Sequence, residues 1–600
     1  MVSRKLISGA LLLSSAATFS GCTLSKMIKM AKDQQLTVTP SPLELHGDSV
    51  KFEASALLPL KMLKANKVYT VYPTYNYADQ KVALGDLQFK ASDYPNAKTE
   101  QPKVTKKLAF AYTGEAMNKG DVTVKGTASD LNGKSKTTPV PDMSIAKGLI
   151  TTSRLVQDAY YPSYADHGYN NAEELTPTNV AFFFEQGSSK LRVVETGGKR
   201  GKFLDAFIAG KNVTRTVTVT GTHSPEGREA KNVSLAEERA SAIEKYYRGR
   251  LKKFDYGKKA DSIDFVTKSI VQDWTAFKDT LAIYKGITEE EKSAILAVID
   301  GGAGDFVAKE AELTKLPTYK KLMKDVYPKL RTARTEILTV LPKKSDAQIS
   351  VLAKNITDGK AEAKILTDKE LAYAATLTPI LSEKEAIYLA ATKANDSWAS
   401  HNNLGAVYLE YAKKAASPAE RTQFIDKAVT HFDIAKNKQE AAEVFANLGA
   451  AQLMKGNTSA AQQSFDKAMQ LSPSDVTRKA VNSMAGVLQV KKAQYQSAIS
   501  SFTNGLNDAV VSYNKGLAQL LNKDFDNAYA SFDEAIKANP QYALAYYGAA
   551  VTAARQNKED GVAANLAKAI SLDANLRARV INDLEFAKFS TTQRFKDAIR

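Results

Sequence analysis

From about residue 396 to residue 590 the chain repeats one pattern of small and large apolar residues at intervals of 30 to 37 positions. Phe432, Phe465, Phe502, Phe532 and Leu566 fall 33, 37, 30 and 34 residues apart. A small or β-branched residue precedes each by four positions (Ala428, Ala461, Ala498, Ala528, Val562). A small one follows each by three (Ala435, Ala468, Gly505, Ala535, Ala569). Offsets of three and four share one face of a helix. Leu404-Gly405, Leu448-Gly449, Gly486 and Gly516 lie upstream, and Pro473 and Pro540 close two units. The small residues let two helices of a unit approach, and the aromatic ring fills their seam. A unit of this size cannot bury its own apolar face, so the units must stack into a solenoid. The first carries about eleven extra residues between Tyr408 and Ala428.

This pattern resembles the tetratricopeptide repeat. The resemblance implies an all-α solenoid, preceded by a helical connector at 346–395, whose concave face holds a peptide or partner helix. Asn403, Asn447 and Asn514 stand just before the glycine step of the first helix, on the expected concave side. An Asn there can hydrogen-bond a ligand's main chain, so these three are the candidates for gripping an unidentified protein partner. The lysines that would complete a clamp for a C-terminal carboxylate are not evident.

The N-terminus carries the one cysteine of the chain. Met1 to Lys5 is cationic, Leu6 to Phe19 is apolar and small, and Phe19-Ser20-Gly21-Cys22 follows. An apolar run of this length is a signal-peptide core and too short for a bilayer span. The four residues resemble a lipobox. Residues 1–21 are therefore expected to be a lipoprotein signal peptide and Cys22 the acylated anchor in the lipid bilayer. The mature chain then has no disulfide. Residues 22–35, with Lys26, Lys29 and Lys32, are expected to be a tether, either solvated or lying on anionic headgroups.

From Leu36 the period changes to two. Val50, Phe52 and Ala54 alternate with polar residues, as do Leu108, Phe110 and Tyr112, then Val122 and Val124. Turn signals at His46-Gly47-Asp48, Asn118-Lys119-Gly120 and Asn132-Gly133 separate the runs. Such strands predict an immunoglobulin-like β-sandwich over 36–150. The run Thr37 to Asp48 resembles the start of the first domain in a group of Bacteroidota outer-membrane proteins.

Residues 170–345 mix the two periods. Strands are expected at Asn179–Phe184, Arg215–Gly221 and Ile263–Val266, and helices at Lys202–Ala209 and Val233–Arg250, an α/β layer arrangement. The stretch Gly221-Thr-His-Ser224-Pro-Glu226-Gly227, followed by Asn232, Leu235, Arg239 and Ala240, resembles the OmpA-like domain, which binds peptidoglycan. A helical insertion at about 274–327 interrupts it. Arg334-Thr-Glu336-Ile-Leu338 resembles its closing strand. The resemblance implies a two-point clamp on a diaminopimelate stem, an acid holding the ammonium and Arg239 the carboxylate. Arg239, Asn232, Ser224 and Glu226 are the candidates. Ser224 stands where the family has its Asp, and a neutral hydroxyl cannot pair with an ammonium as a carboxylate does. Glu226 is the substitute acid.

The fold expected is thus multidomain α+β: a sandwich, an OmpA-like α/β domain and an all-α solenoid. At 600 residues, 44% hydrophobic and 24% charged, the composition is that of globular domains. The formal charge of +17 favours anionic neighbours. No nucleic-acid signature accompanies it, since Lys and Arg are spread along the chain. The five histidines are scattered without metal-ligand spacing, and no Walker loop, nucleophile elbow or dinucleotide fingerprint occurs. No enzyme, cofactor or metal is expected. The chain reads as an outer-membrane lipoprotein facing the periplasm, in one of two roles. One is a scaffold linking membrane, peptidoglycan and a protein partner. The other is an accessory subunit of an outer-membrane secretion or assembly machine, type IX secretion-like, without glycan binding.

Overall fold

The computed structural model describes residues 15–137, 143–272 and 274–600, with side chains from residue 23 onward. The first fourteen residues of the expected signal peptide and the side chains of residues 15–22, Cys22 included, lie outside that description. Two compact units form. One combines the described residues up to Gly168 with Ile349–Arg600, and the other is Tyr169–Gln348.

The first unit begins with two sheets around one core. The strands are β1 (Gln35–Thr39), β2 (Leu43–His46), β3 (Ser49–Leu57), β4 (Lys67–Tyr77), β5 (Gln80–Ala83) and β6 (Leu87–Lys90). They continue with β7 (Lys103–Ala111), β8 (Asp121–Asp130), β9 (Ser135–Thr137), β10 (Met143–Lys147) and β11 (Leu149–Ile150). One sheet runs β1-β3-β2-β11 with β7 on β3, and the other β10-β8-β4-β5 with β6 on β4 and β9 on β8. Strand β3 shows why. Val50, Phe52, Ala54 and Ala56 are buried while Lys51 and Glu53 face solvent, the alternation that a half-covered strand requires. Across the core, Tyr75 of β4 stacks on Phe110 of β7 at 4.4 Å.

The expected tether is structured differently. Ser15–Met30 is a helix. Leu24, Met27, Ile28 and Ala31 are buried in the sandwich core, while Lys26, Lys29 and Lys32 are exposed. The apolar residues recur at three and four, so they form a stripe that a free spacer would leave in water.

The same unit holds the solenoid. After helices Asp368–Ala374 and Leu381–Ala394 come five pairs: Trp398–Lys414 with Pro418–Lys438, Ala442–Met454 with Thr458–Gln470, Asp475–Lys491 with Tyr495–Thr503, Ala509–Leu521 with Phe525–Ala538, and Ala543–Arg555 with Glu559–Leu572. The extra residues of the first repeat lengthen its helices to 17 and 21 residues, against 13 and 13 in the next pair. Small residues do what their spacing demands. A Cβ on Gly405, Gly449 or Gly486 would stand 2.5, 2.4 or 2.5 Å from the ring of Phe432, Phe465 or Phe502.

The second unit is a four-stranded sheet ordered β12-β15-β13-β14, from β12 (Leu175–Phe183), β13 (Thr214–Thr222), β14 (Asp264–Ile270) and β15 (Thr332–Val340). Strand β13 pairs parallel with β14 and antiparallel with β15. Helices Lys199–Ala209 and Glu229–Lys253 pack on it, closing a core of Phe182, Leu204, Val217, Ile243, Tyr247 and Ile337. Gly221 is obligatory there, because a Cβ would lie 1.9 Å from the carbonyl oxygen of Ala236 in the crossing helix. Between β14 and β15 stands a helical insertion with its own core, including Phe277, Leu281, Ile295, Leu313 and Leu322.

Candidate functional site

The first helices of the repeat pairs line one face of the solenoid, and the candidate asparagines lie on it, almost fully buried. Asn447 and Asn514 are 0% exposed and Asn403 is 2%. What buries them is the chain's own segment between the sandwich and the second unit. After the short 3-10 turn Thr152–Leu155, the chain runs without helix or strand through Tyr169.

Each asparagine grips one residue of this strap by both main-chain groups. The Asn447 amide accepts from Ser163 N–H at 2.7 Å and donates to Ser163 C=O at 2.7 Å. Asn514 does the same with Gln157, at 2.9 and 2.8 Å. Asn403 accepts from Ala165 N–H at 2.7 Å and donates to its C=O at 3.3 Å. Sequence reasoning missed Asn402, which donates to Ser163 C=O at 3.0 Å and to Asn403 Oδ1 at 3.1 Å and accepts from Asn447 at 3.0 Å, tying two rungs together. Main-chain pairing by an amide satisfies one donor and one acceptor that burial would otherwise orphan.

Side chains extend the grip. Leu155 joins the apolar cluster of the fourth and fifth repeat pairs, and Ala159 that of Val487, Val490 and Phe502. Tyr513 donates to Leu155 C=O at 3.1 Å, Arg421 donates to the Tyr160 hydroxyl at 2.9 Å, and Lys491 pairs with Asp158 at 2.6 Å. Tyr161 donates to Asp508. Desolvation raises the Tyr161 hydroxyl above its ordinary range, and the Asp508 charge adds to this. Asparagine serves main-chain recognition here as expected, but the main chain recognised is the protein's own, so the groove differs from the open partner site expected.

Upstream of the strap a buried polar cluster joins sandwich to solenoid. The Arg555 guanidinium donates twice to Glu585, at 2.6 and 2.7 Å, and once to Glu44 of β2 at 2.8 Å. Thr152 donates to Glu585, and Ser153 to Leu45 C=O at 2.7 Å. Burial pushes the Glu585 carboxyl up, and Arg555 partly offsets that.

In the second unit the four peptidoglycan candidates do come together, in a closed arrangement. Arg239 is 1% exposed. Its three nitrogens donate to the carbonyls of Ser188, Thr222 and Glu185 at 3.0, 2.8 and 3.2 Å. Burial lowers its pKa to about 10, so it stays charged at neutral pH. The expected fork on a ligand carboxylate is instead a brace on two loops and a strand end. Glu226 is engaged through Oε1 alone, and its Oε2 is buried without a hydrogen-bond partner. It accepts from Arg331 at 2.8 Å and from the Ser224 hydroxyl at 2.6 Å. Asn232 donates to the Glu226 carbonyl at 3.1 Å. Arg331, just ahead of β15, thus stands as the cation on the substitute acid, and no spacing rule pointed to it.

The insertion packs beside this cluster. Phe306 lies 5.9 Å from His223 and 4.5 Å from Trp274. Glu310, 7% exposed, accepts from the hydroxyls of Tyr319 at 2.8 Å and Tyr327 at 2.6 Å. Desolvation pushes Glu310 up to about 7 against those two hydrogen bonds, with Glu226 adding repulsion.

Two histidines that looked scattered also meet. His401 and His431 share an Nδ1–Nδ1 contact of 2.9 Å, and desolvation lowers the pKa of His431. Among the described residues no three His, Cys, Asp or Glu side chains gather as a metal set, and no helix is long and apolar enough to cross a membrane.

Comparison with known proteins bears on the solenoid alone. The family profile described as tetratricopeptide repeat matches residues 509–542. No curated protein matches the chain. Among solved structures, pilF of Pseudomonas aeruginosa is 13% identical, with 41% of this chain and 98% of that one covered and a TM-score of 0.29. A tetratricopeptide repeat protein from Parabacteroides merdae is 14% identical over 42% and 97%, with a TM-score of 0.26. YrrB, titled a TPR protein with an unusual peptide-binding site, is 21% identical over 32% and 97%, with a TM-score of 0.25. The C-terminal region of this chain carries a tetratricopeptide repeat at residues 509–542.

Proposed function

We propose that this chain is a non-enzymatic scaffold of the cell envelope, anchored in the outer membrane through acylated Cys22 and facing the periplasm, whose repeats recruit a protein partner. The carrying observation is the row of buried asparagine amides that holds an extended main chain along the solenoid. That chemistry serves recognition of polypeptide rather than catalysis. The anchor is supported by the position of the chain's sole cysteine after a short apolar run. The exposed Lys26, Lys29 and Lys32 suit an anionic lipid surface.

Of the two roles, the machine-subunit reading gains from the second unit. A diaminopimelate clamp needs one free acid and one free guanidinium, whereas Arg239 is engaged by three carbonyls and Glu226 by Arg331. Two experiments test the reading. Cys22→Ala should move the protein from the membrane fraction to the soluble fraction, and persistence in membranes through high salt contradicts the anchor. Full-length protein should not co-sediment with purified sacculi at moderate salt. Sedimentation of the natural protein with sacculi at moderate salt would restore the peptidoglycan link.

A further inference from the structure

The groove reads main chain, and main chain is common to every polypeptide. At its rungs an asparagine amide takes the N–H and C=O of one strap residue and none of its side chain. Side-chain selection comes from the tyrosines, through Arg421 at Tyr160 and Asp508 at Tyr161.

The fit is not complete. A cavity of about 300 Å³ remains between Tyr160–Tyr164 of the strap and a wall that includes Glu410, Lys413, Val476 and Leu506. Ser163 is 5% exposed, and its hydroxyl lies in that lining without a hydrogen-bond partner. Ser163, whose main chain is held by Asn447 and Asn402, thus leaves its own hydroxyl unsatisfied beside unfilled space, so side-chain complementarity between strap and groove is incomplete at the middle of the strap. The end at Thr152 and Ser153 is instead tied into the Glu585–Arg555–Glu44 cluster.

We propose that the groove is a main-chain-reading peptide site held shut in cis by residues 156–166, and that an extended, tyrosine-rich segment of a partner enters when that stretch lifts away. This rests on the reading of the solenoid as a protein-binding module and specifies how it is regulated. Tethering presents the strap at an effective concentration on the order of millimolar, so a free peptide at about 100 µM displaces at most about a tenth of it.

The probe is a fluorescein-labelled peptide of residues 151–168. It is titrated into the full chain and into a variant whose residues 156–166 are a Gly/Ser linker of equal length. The expected result is no saturable binding by the natural chain and binding by the linker variant, weakened at least tenfold by adding Asn447→Ala. Equal binding by both chains overturns the proposal, as does no binding by a linker variant with the natural helical circular dichroism.

If the linker variant does not fold, amide exchange on the natural chain decides. A releasable strap exchanges its Gln157, Ser163 and Ala165 amides faster than the core of β3. Exchange of all of them at one common rate makes the strap an inseparable part of the fold and overturns the proposal. A protein that co-purifies equally with natural and linker chains would keep the scaffold reading and sink this one.

Discussion

Asn447 and Ser163 are 284 positions apart and share two hydrogen bonds of 2.7 Å. The pair carries much of the account, because it joins a repeat helix to a segment with no secondary structure of its own. Removing the amide in Asn447→Ala orphans a buried N–H and strips the Ser163 carbonyl of one donor. A buried orphaned group costs about 1–3 kcal/mol. Urea unfolding of the full chain should show that loss in the transition of the sandwich–solenoid unit, and an unchanged midpoint would contradict the rung.

Gly449 tests the repeat seam. An ordinary helix gains up to about 1 kcal/mol from Gly→Ala. Here the new methyl would stand 2.4 Å from the Phe465 ring, and overpacking costs about 1–3 kcal/mol. Gly449→Ala should therefore lower the thermal midpoint. A rise would mean that the ring is free to move aside.

Arg331 and Glu226 form a buried pair, with side chains 8% and 11% exposed. Removing one member of such a pair typically costs about 3–5 kcal/mol. Arg331→Ala should destabilise the second unit by that order, and Arg331→Met with Glu226→Leu should recover most of it. No recovery in the double variant would assign the loss to packing rather than to the stranded carboxylate.

The second unit should also carry a pH signature from Glu310. Its folded pKa, about 7, lies above the ordinary 4.5, so the folded state binds the proton more tightly. Its contribution is fully present below pH 4.5 and is lost as pH rises through 7. The groups facing it are Tyr319, Tyr327 and Glu226, the last paired with Arg331. The span corresponds to about 3 kcal/mol. Glu310→Gln should flatten the fall in stability between pH 4.5 and 7, and an unaltered slope would place its cause elsewhere.

The repeats were legible because their residues act locally. Phe465 and Gly449 belong to one helix pair, and the same requirement recurs unit after unit. The strands and helices of 170–345 were legible for a similar reason, since Val217 and Val219 or Ile243 and Tyr247 announce their period along the sequence. The strap was not. Tyr160, Tyr161 and Tyr164 follow neither period, and their partners lie hundreds of residues ahead. Arg331 was equally hidden, because the insertion separates it from Glu226 by 105 positions. The packed helix ahead of β1 was hidden because three lysines mark its exposed face while Leu24, Met27 and Ile28 carry the buried one.

The most direct test of the filled groove is limited chymotrypsin digestion of the natural chain, read by mass spectrometry at Tyr160, Tyr161 and Tyr164. These side chains are bound along the solenoid, so no cut between residues 155 and 168 should precede cuts elsewhere. In the Asn403→Ala, Asn447→Ala, Asn514→Ala triple variant, cleavage in that stretch should come first. Early cleavage there in the natural, folded chain would contradict the account.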